Sequence, residues 1–228
     1  MNAAVLFICA WLVNSPDVPA TGTSRQDTHR GVLDVVVFYA DAPRNVDRYP
    51  LPVRQELQRF LQRARAYRPR SRTAGFGSEM RMVSAAREGY EAKLAASAAA
   101  AGAARLAQEY VDALRPCYEW EGFHDCPERE ALFAEQHLRD RPDTPFRDLL
   151  RVLAAHRWLC TAEGYEYEQN PTQARRARRA YEEALKIATA DSRSALMTTA
   201  ASELKASGRC HATDPFPKKR EQSPRQPY

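Results

Sequence analysis

Apolar residues recur at the spacing of an α-helix along most of this sequence, and this period restricts the fold more than any other feature. Residues 53–67 show it clearly, with apolar side chains on one face and arginine and glutamine on the other. The same pattern covers residues 78–114, with soft spots at Gly89 and Gly102, and residues 127–139, 146–163, 171–189 and 192–207. Gly164–Asn170 is predicted to be a turn, and Asp191 is a natural N-cap for the last helix. Val32–Tyr39 is apolar and β-branched, but it has no second strand-like run to pair with, so we predict a short buried helix there.

The sequence therefore predicts an all-α fold, with antiparallel helix pairs stacked as an irregular bundle or a short solenoid and stapled by disulfides. Residues 31–210 are expected to form a single helical domain. A sub-boundary could fall near residues 116–127, because Pro116 ends one helix and Pro127 suits the first turn of the next. Residues 21–30 are a polar lead-in, and the proline-rich residues 211–228 are predicted to be a disordered tail.

Residues 1–20 have the pattern of a secretory signal peptide. Ala3–Val13 is an apolar run of signal length, shorter than the roughly 20 apolar residues that a membrane span needs. Val18 and Ala20 then place small or short residues before a cut after Ala20. We expect an exported protein, in the bacterial periplasm or outside the cell, with no integral membrane span in the mature chain.

The cysteines agree with export. Of the five, Cys9 lies in the signal segment, so four remain in the mature chain: Cys117, Cys126, Cys160 and Cys210. An even number in an exported protein predicts two disulfides, with three connectivities to choose from. Cys117–Cys126 is the local pairing, and Cys160–Cys210 would then tie two late helices together.

Zinc is the alternative role for these cysteines. His124 lies beside Cys126 in the loop, His156 and Cys160 share a helix face, and His211 follows the last cysteine. Imidazole and thiolate together suit tetrahedral Zn²⁺. The spacing matches no standard zinc finger, and thiols oxidise in an exported protein, so we predict disulfides and no metal. His156, on a mostly apolar helix, is expected to be a hydrogen-bonded core histidine.

The stretch Cys117–Cys126, CYEWEGFHDC, differs most in composition from its surroundings. We predict that a disulfide closes it into a loop between two helices and that its rings form a ligand or contact surface. The rings belong to Tyr118, Trp120, Phe123 and His124. The carboxylates Glu119, Glu121 and Asp125 also allow a general acid/base interpretation, in which neighbouring rings raise one carboxyl pKa as in a glycosidase. The simpler interpretation leaves these carboxylates in water.

Motif searches point to no reaction. The sequence has no P-loop, no His-Glu-x-x-His, no Gly-x-Ser-x-Gly and no dinucleotide fingerprint, so the catalytic residues stay unknown and no cofactor is predicted. The formal net charge is +5, but the two signs are interspersed, and export argues further against a nucleic-acid partner. The arginine-rich run 175–179 is predicted to be a solvated face with ion pairs such as Arg178–Glu182.

One family resemblance bears on function. Ala177-x3-Tyr181-x2-Ala184-Leu185 resembles the second helix of a tetratricopeptide repeat, where small residues let paired helices approach closely. The resemblance covers about one half-repeat; it implies stacked helix pairs and carries no catalytic residue. We therefore expect an exported, helical-repeat-like protein with a protein partner, acting as an interaction or envelope scaffold module rather than an enzyme. The alternative is an exported hydrolase that uses the Cys117–Cys126 loop.

Overall fold

The computed structural model describes residues 31–38, 43, 45–67, 78–98, 101–114 and 123–210, without the side chains of residues 38, 78–86 and 114. The expected signal segment, the lead-in and residues 211–228 lie outside the described residues. So do Cys117, Tyr118, Glu119, Trp120 and Glu121 of the predicted loop.

The described residues form eight α-helices and one short 3-10 turn, with no strand among them. The helices are α1 (Val32–Phe38), α2 (Leu51–Ala66), α3 (Ser78–Ser97), α4 (Ala103–Leu114), α5 (Asp125–Asp140), α6 (Arg147–Tyr167), α7 (Pro171–Ala190) and α8 (Ala195–Ser207). The predicted all-α class is confirmed. None of the helices in the described ranges has the length and apolar character that crossing a membrane demands.

Helix α6 is the centre of the fold. Every residue from Val152 to Ala162 is buried, which requires neighbours on all sides of the helix. Helices α5 and α7 supply most of that cover, and α8 and α1 complete it. On α7, the buried residues include Ala177, Tyr181 and Ala184, whose small or flat side chains allow close approach to α6. This packing of helix pairs is compatible with a helical-repeat fold.

The β-branched run near the amino-terminal side is a helix, as predicted, and its side chains from Val32 to Val37 are buried. The valines of α1 have no exposed surface. At its start, the backbone N–H of Leu33 donates to Oε2 of Glu203 on α8 at 2.8 Å. At its end, Nζ of Lys93 on α3 donates to the carbonyl of Val37. A negative group therefore lies at the positive end of the helix dipole and an amine at the negative end.

The helical pattern predicted over residues 78–114 forms two helices, which separate next to the predicted soft spot Gly102. The chain reverses between α3 and α4, where Gly102 has φ +82°, a left-handed conformation that favours glycine. The rings of Tyr90 and Tyr110 stack with centroids 3.8 Å apart, although a straight helix would separate them by roughly 30 Å. The ring stack therefore joins the two arms of a helical hairpin.

Helix α6 also ends later than predicted. Gly164–Tyr167, expected to belong to a turn, continue the helix. The turn follows at residues 168–170, where Gln169 has φ +58° and Oδ1 of Asn170 accepts from the backbone N–H of Gln173 at 3.3 Å to cap α7. The extension brings Tyr165 and Tyr167 onto a regular helix, where their directions are fixed.

Candidate contact surface

An exposed group of aromatic and acidic side chains lies where the start of α5 meets the end of α6. We call Phe123, His124, Tyr165, Tyr167 and Glu168 the aromatic–carboxylate surface. Phe123 is 42% exposed and Tyr167 is 73% exposed, and their rings meet edge to face with centroids 6.0 Å apart. Large aromatic rings with this much exposed surface are typical of contact sites and not of the packed hydrophobic core.

Gly164 allows the chain before α5 to lie directly on α6. A Cβ at this position would come within 2.6 Å of the backbone nitrogen of His124 and 2.9 Å of the carbonyl carbon of Phe123. Both neighbours are backbone atoms, which cannot rotate away as a flexible side chain would. The absent side chain therefore sets the position of Phe123 and His124 against the helix.

His124 is held on two sides. Its ring stacks on Tyr165 with centroids 3.9 Å apart, and its Nδ1 lies 2.6 Å from Oε1 of Glu168. The backbone N–H of His124 donates to the same oxygen at 3.0 Å. Burial acts to raise the pKa of Glu168, but these hydrogen bonds and the charge of His124 lower it overall. Glu168 thus stays ionised and keeps the imidazole in one orientation.

Tyr165 is fixed from its other end. Its hydroxyl donates to Oε2 of Glu128 on α5 at 2.8 Å. Desolvation by burial, followed by this hydrogen bond and the nearby carboxylates, raises the pKa of Tyr165 to about 12. The hydroxyl therefore remains a donor at neutral pH, and the ring is a rigid base on which His124 rests.

Five carboxylates stand on the described segments that carry these rings. They are Asp125, Glu128, Glu163, Glu166 and Glu168. Arg178 on α7 was predicted to pair with Glu182, but its Nη2 instead lies 3.1 Å from Oε1 of Glu166. Arg176, also on α7, lies near enough to Tyr165 to act on its pKa, so the two arginines offset part of the negative charge that these carboxylates give the surface.

The structure thus places two of the predicted contact residues, Phe123 and His124, on one surface. Tyr118 and Trp120 lie outside the described residues. The sequence prediction missed Tyr165, Tyr167 and Glu168, because residues 164–170 were interpreted as a turn. The signal that could have found them is the alternation Tyr-Glu-Tyr-Glu at residues 165–168, which repeats the acidic and aromatic character of the predicted loop.

The predicted pairing of Cys160 with Cys210 is confirmed by a buried disulfide with an S–S distance of 2.09 Å. His156 is fully buried beside it, with Nε2 donating to the carbonyl of Cys210 at 2.7 Å and Nδ1 accepting from Nη1 of Arg157 at 2.8 Å. His156 is therefore the hydrogen-bonded core histidine that the sequence predicted.

Ligand atoms of His156, Cys160 and Cys210 lie within 4.8 Å of one another, close enough for a shared metal ion. The sulfur atoms of Cys160 and Cys210 are bonded to each other in the disulfide, so neither is a thiolate that could bind a metal ion. The arrangement in its oxidised form is therefore a covalent staple. Cys117 lies outside the described residues, so the Cys117–Cys126 pairing stays a prediction.

A second group of ionisable side chains is enclosed between α3, α4, α5 and α6. Arg157 pairs with Glu130, and both charges lie close enough to the stacked rings of Tyr90 and Tyr110 to act on the pKa values of the two hydroxyls. Burial, and then the charge of Arg157, lower the pKa of Lys93 to about 7. Lys93 is only 7% exposed and donates to the end of α1, so we assign this cluster to the core.

An open groove runs over α6 between α5 and α7. It has a volume of about 380 Å³ and is lined by Leu138, Ala154, Ala184 and Ile187, with charged side chains at its rim. A concave groove between helices is what a helical-repeat arrangement predicts. Its lining is aliphatic, however, and the exposed rings lie at the other end of α6.

The fold and the surface together define a class: a disulfide-stapled, all-α protein of packed helix pairs with an exposed aromatic–carboxylate surface. No protein family, no curated protein and no solved structure matches this chain. Function is therefore inferred from the geometry of its own residues.

Proposed function

We propose that this chain is an exported protein-binding module and that the aromatic–carboxylate surface is its contact site. The observation that carries the proposal is the edge-to-face pair of Phe123 and Tyr167, which is exposed yet held on the disulfide-stapled helix α6. Rigid aromatic rings bury a large area on binding and lose little rotamer freedom, so such rings contribute most of the energy at many interfaces.

The charge of the surface indicates the chemistry of the partner. Glu168 is held ionised, and Asp125 is exposed at the start of α5. Carboxylates bind guanidinium and ammonium groups through charge-assisted hydrogen bonds, and the faces of the neighbouring rings attract the same cations. We therefore propose that the partner presents a segment with lysine or arginine next to an aromatic or proline residue.

The helical-repeat interpretation supports the same role. Ala177 and Ala184 are buried on α7, at positions where the tetratricopeptide resemblance expects small residues between paired helices. Export also fits, since the Cys160–Cys210 disulfide suits an oxidising compartment. A scaffold role in the cell envelope is the finer form of this proposal.

The experiment is a random-peptide phage selection on the purified, oxidised chain, followed by fluorescence-polarisation titration of the enriched peptides. We expect basic peptides with aromatic or proline residues. Tyr167→Ala should weaken their binding at least about tenfold, since truncating a central interface ring costs about 2 kcal/mol. Ile187→Ala is the matched control, because Ile187 is exposed on α7 and lies away from this surface. Equal affinities for wild type and Tyr167→Ala, or no enriched peptide, would contradict the proposal.

A hydrolase is the second candidate function, favoured by the pairing of His124 with Glu168. A carboxylate that fixes the imidazole through Nδ1 is the arrangement that a general base requires. The test is turnover of ester, peptide and glycoside substrates by the wild-type chain and by His124→Gln. Activity that is lost in His124→Gln would support the enzyme, whereas equal rates in the two proteins would refute it.

A further inference from the structure

We infer that residues 211–228 of the same chain occupy the aromatic–carboxylate surface and must be displaced before a partner binds there. This inference rests on the proposed function of that surface and identifies the segment that covers the surface before a partner binds. Three observations support it: where the chain leaves the described structure, the charges that the segment carries, and the residues that flank those charges.

The chain leaves the described residues from a fixed point on α6. Cys210 is joined to Cys160, its backbone N–H donates to Oε1 of Glu163 at 2.9 Å, and its carbonyl accepts from His156. Cys160, Glu163 and Tyr167 fall at helical spacing on one face of α6. Tyr167 therefore lies one turn, about 6 Å along the axis, beyond the residue that holds Cys210.

The charges of the segment and the surface are complementary. Residues 211–228 contain four basic side chains, at Lys218, Lys219, Arg220 and Arg225, and two acidic ones, at Asp214 and Glu221. The surface offers the exposed Asp125 and the ionised Glu168, which also pairs with His124, while Glu166 shares its charge with Arg178. A single exposed ion pair contributes little to affinity, but a short tether makes the contact intramolecular, with an effective concentration of about millimolar.

The residues before the basic cluster suit the exposed rings. Phe216 stands between Pro215 and Pro217, and prolines reduce the conformational entropy that a segment loses on binding. Six residues of extended chain reach about 20 Å, so Phe216 can reach Phe123 and Tyr167 from Cys210. The segment thus has the same chemistry, basic with aromatic and proline residues, as the proposed partner.

The test is zero-length carbodiimide cross-linking of the full, oxidised chain, followed by peptide mass spectrometry. The reagent joins a lysine amine to a carboxylate with loss of water. We expect amide bonds from Lys218 or Lys219 to Asp125, Glu166 or Glu168. Lys186, exposed on α7, is the internal control and should not reach these carboxylates. Isotope-labelled and unlabelled chains are mixed so that links between two copies are recognised, and links of that kind alone would overturn the inference.

A triple variant, Lys218→Glu, Lys219→Glu and Arg220→Glu, supplies a second readout. Hydroxyl-radical oxidation of Tyr167 should increase severalfold in this variant, and peptides selected on the surface should bind it at least about tenfold more tightly than they bind wild type. If neither quantity changes, the inference is overturned. The proposed function still stands in that case, provided that peptides bind through Tyr167. Failure of every peptide to bind the wild type and the variant would instead refute the proposed function.

Discussion

Lys93 shows how a single residue can set the pH dependence of this fold. Its amine is 7% exposed and donates to the carbonyl of Val37 at the end of α1. Desolvation, and then Arg157, lower the pKa to about 7, while Glu130 acts in the opposite direction. Tyr90, also buried in this cluster, keeps its proton because burial raises its pKa. A neutral amine can still donate the hydrogen bond to Val37.

We predict that stability rises with pH between about 7 and 9. In this range the unfolded chain holds a proton on Lys93, at its ordinary pKa of 10.5, that the native chain has released. The slope from this group is at most about 1.4 kcal/mol per pH unit. Urea unfolding at pH 7.5 and pH 9 would measure it. Lys93→Met should remove the slope, whereas Lys186→Met, on an exposed position, should retain it. A flat profile in the wild-type chain would contradict the assignment.

Two glycines test how the contact surface is positioned. A Cβ at Gly164 would meet the backbone of Phe123 and His124 at less than 3.0 Å, while a Cβ at Gly89 in α3 would meet nothing within 4 Å. We expect Gly164→Ala to cost about 1–3 kcal/mol and to weaken peptide binding. Gly89→Ala should be neutral or stabilise by up to about 1 kcal/mol, because alanine favours a helix. Chemical unfolding and peptide titration of both variants would decide; similar behaviour of the two would contradict this role of Gly164.

At the scale of elements, several helix starts are held by carboxylates from distant parts of the chain. Glu203 accepts from Leu33 in the first turn of α1, and Glu56 on α2 accepts from the N–H of Leu196 at 2.9 Å and from the hydroxyl of Ser194 at 2.6 Å at the start of α8. A local pattern suggested Asp191 as the cap of the last helix. Ser194 caps it instead, because Glu56 completes the site from another helix.

Glu203 gives the clearest prediction at this scale. Its two oxygens accept from the N–H of Leu33 and, at 2.5 Å, from the hydroxyl of Tyr49. Glu203→Gln replaces one acceptor by a donor and removes the charge at the positive end of α1, so we expect a loss of about 1–3 kcal/mol. Glu183→Gln on the exposed face of α7 should change stability by less than about 0.5 kcal/mol. Equal effects of the two substitutions in urea unfolding would show that α1 does not depend on this contact.

At the scale of the whole molecule, the sequence predicted the features that follow from the helical period of nearby residues. It missed the features that depend on contacts between residues far apart in the sequence. The helix at Val32–Phe38, the all-α class and the Cys160–Cys210 pairing follow from periodicity, from the absence of a partner strand and from cysteine number. Gly102 was predicted only as a soft spot, because helical propensity continues through it, and the fold-back is evident from contacts between α3 and α4 such as the stacking of Tyr90 on Tyr110. Tyr167 was missed because glycine at 164 suggested a turn.

The Cys160–Cys210 disulfide acts on the whole molecule, because it joins the central helix α6 to the last described residue. It closes a segment of 50 residues, for which loss of chain entropy in the unfolded state gives about 4 kcal/mol. We expect the double variant Cys160→Ala, Cys210→Ala to lose about 3–4 kcal/mol in urea unfolding, and reduction of wild type to lose at least as much. Reduction should raise the intact mass by about two units per disulfide, since each takes up two electrons and two protons. A gain of about four units would indicate a second disulfide, as the predicted Cys117–Cys126 bond requires. No gain in freshly isolated protein would contradict both the staple and the case for export.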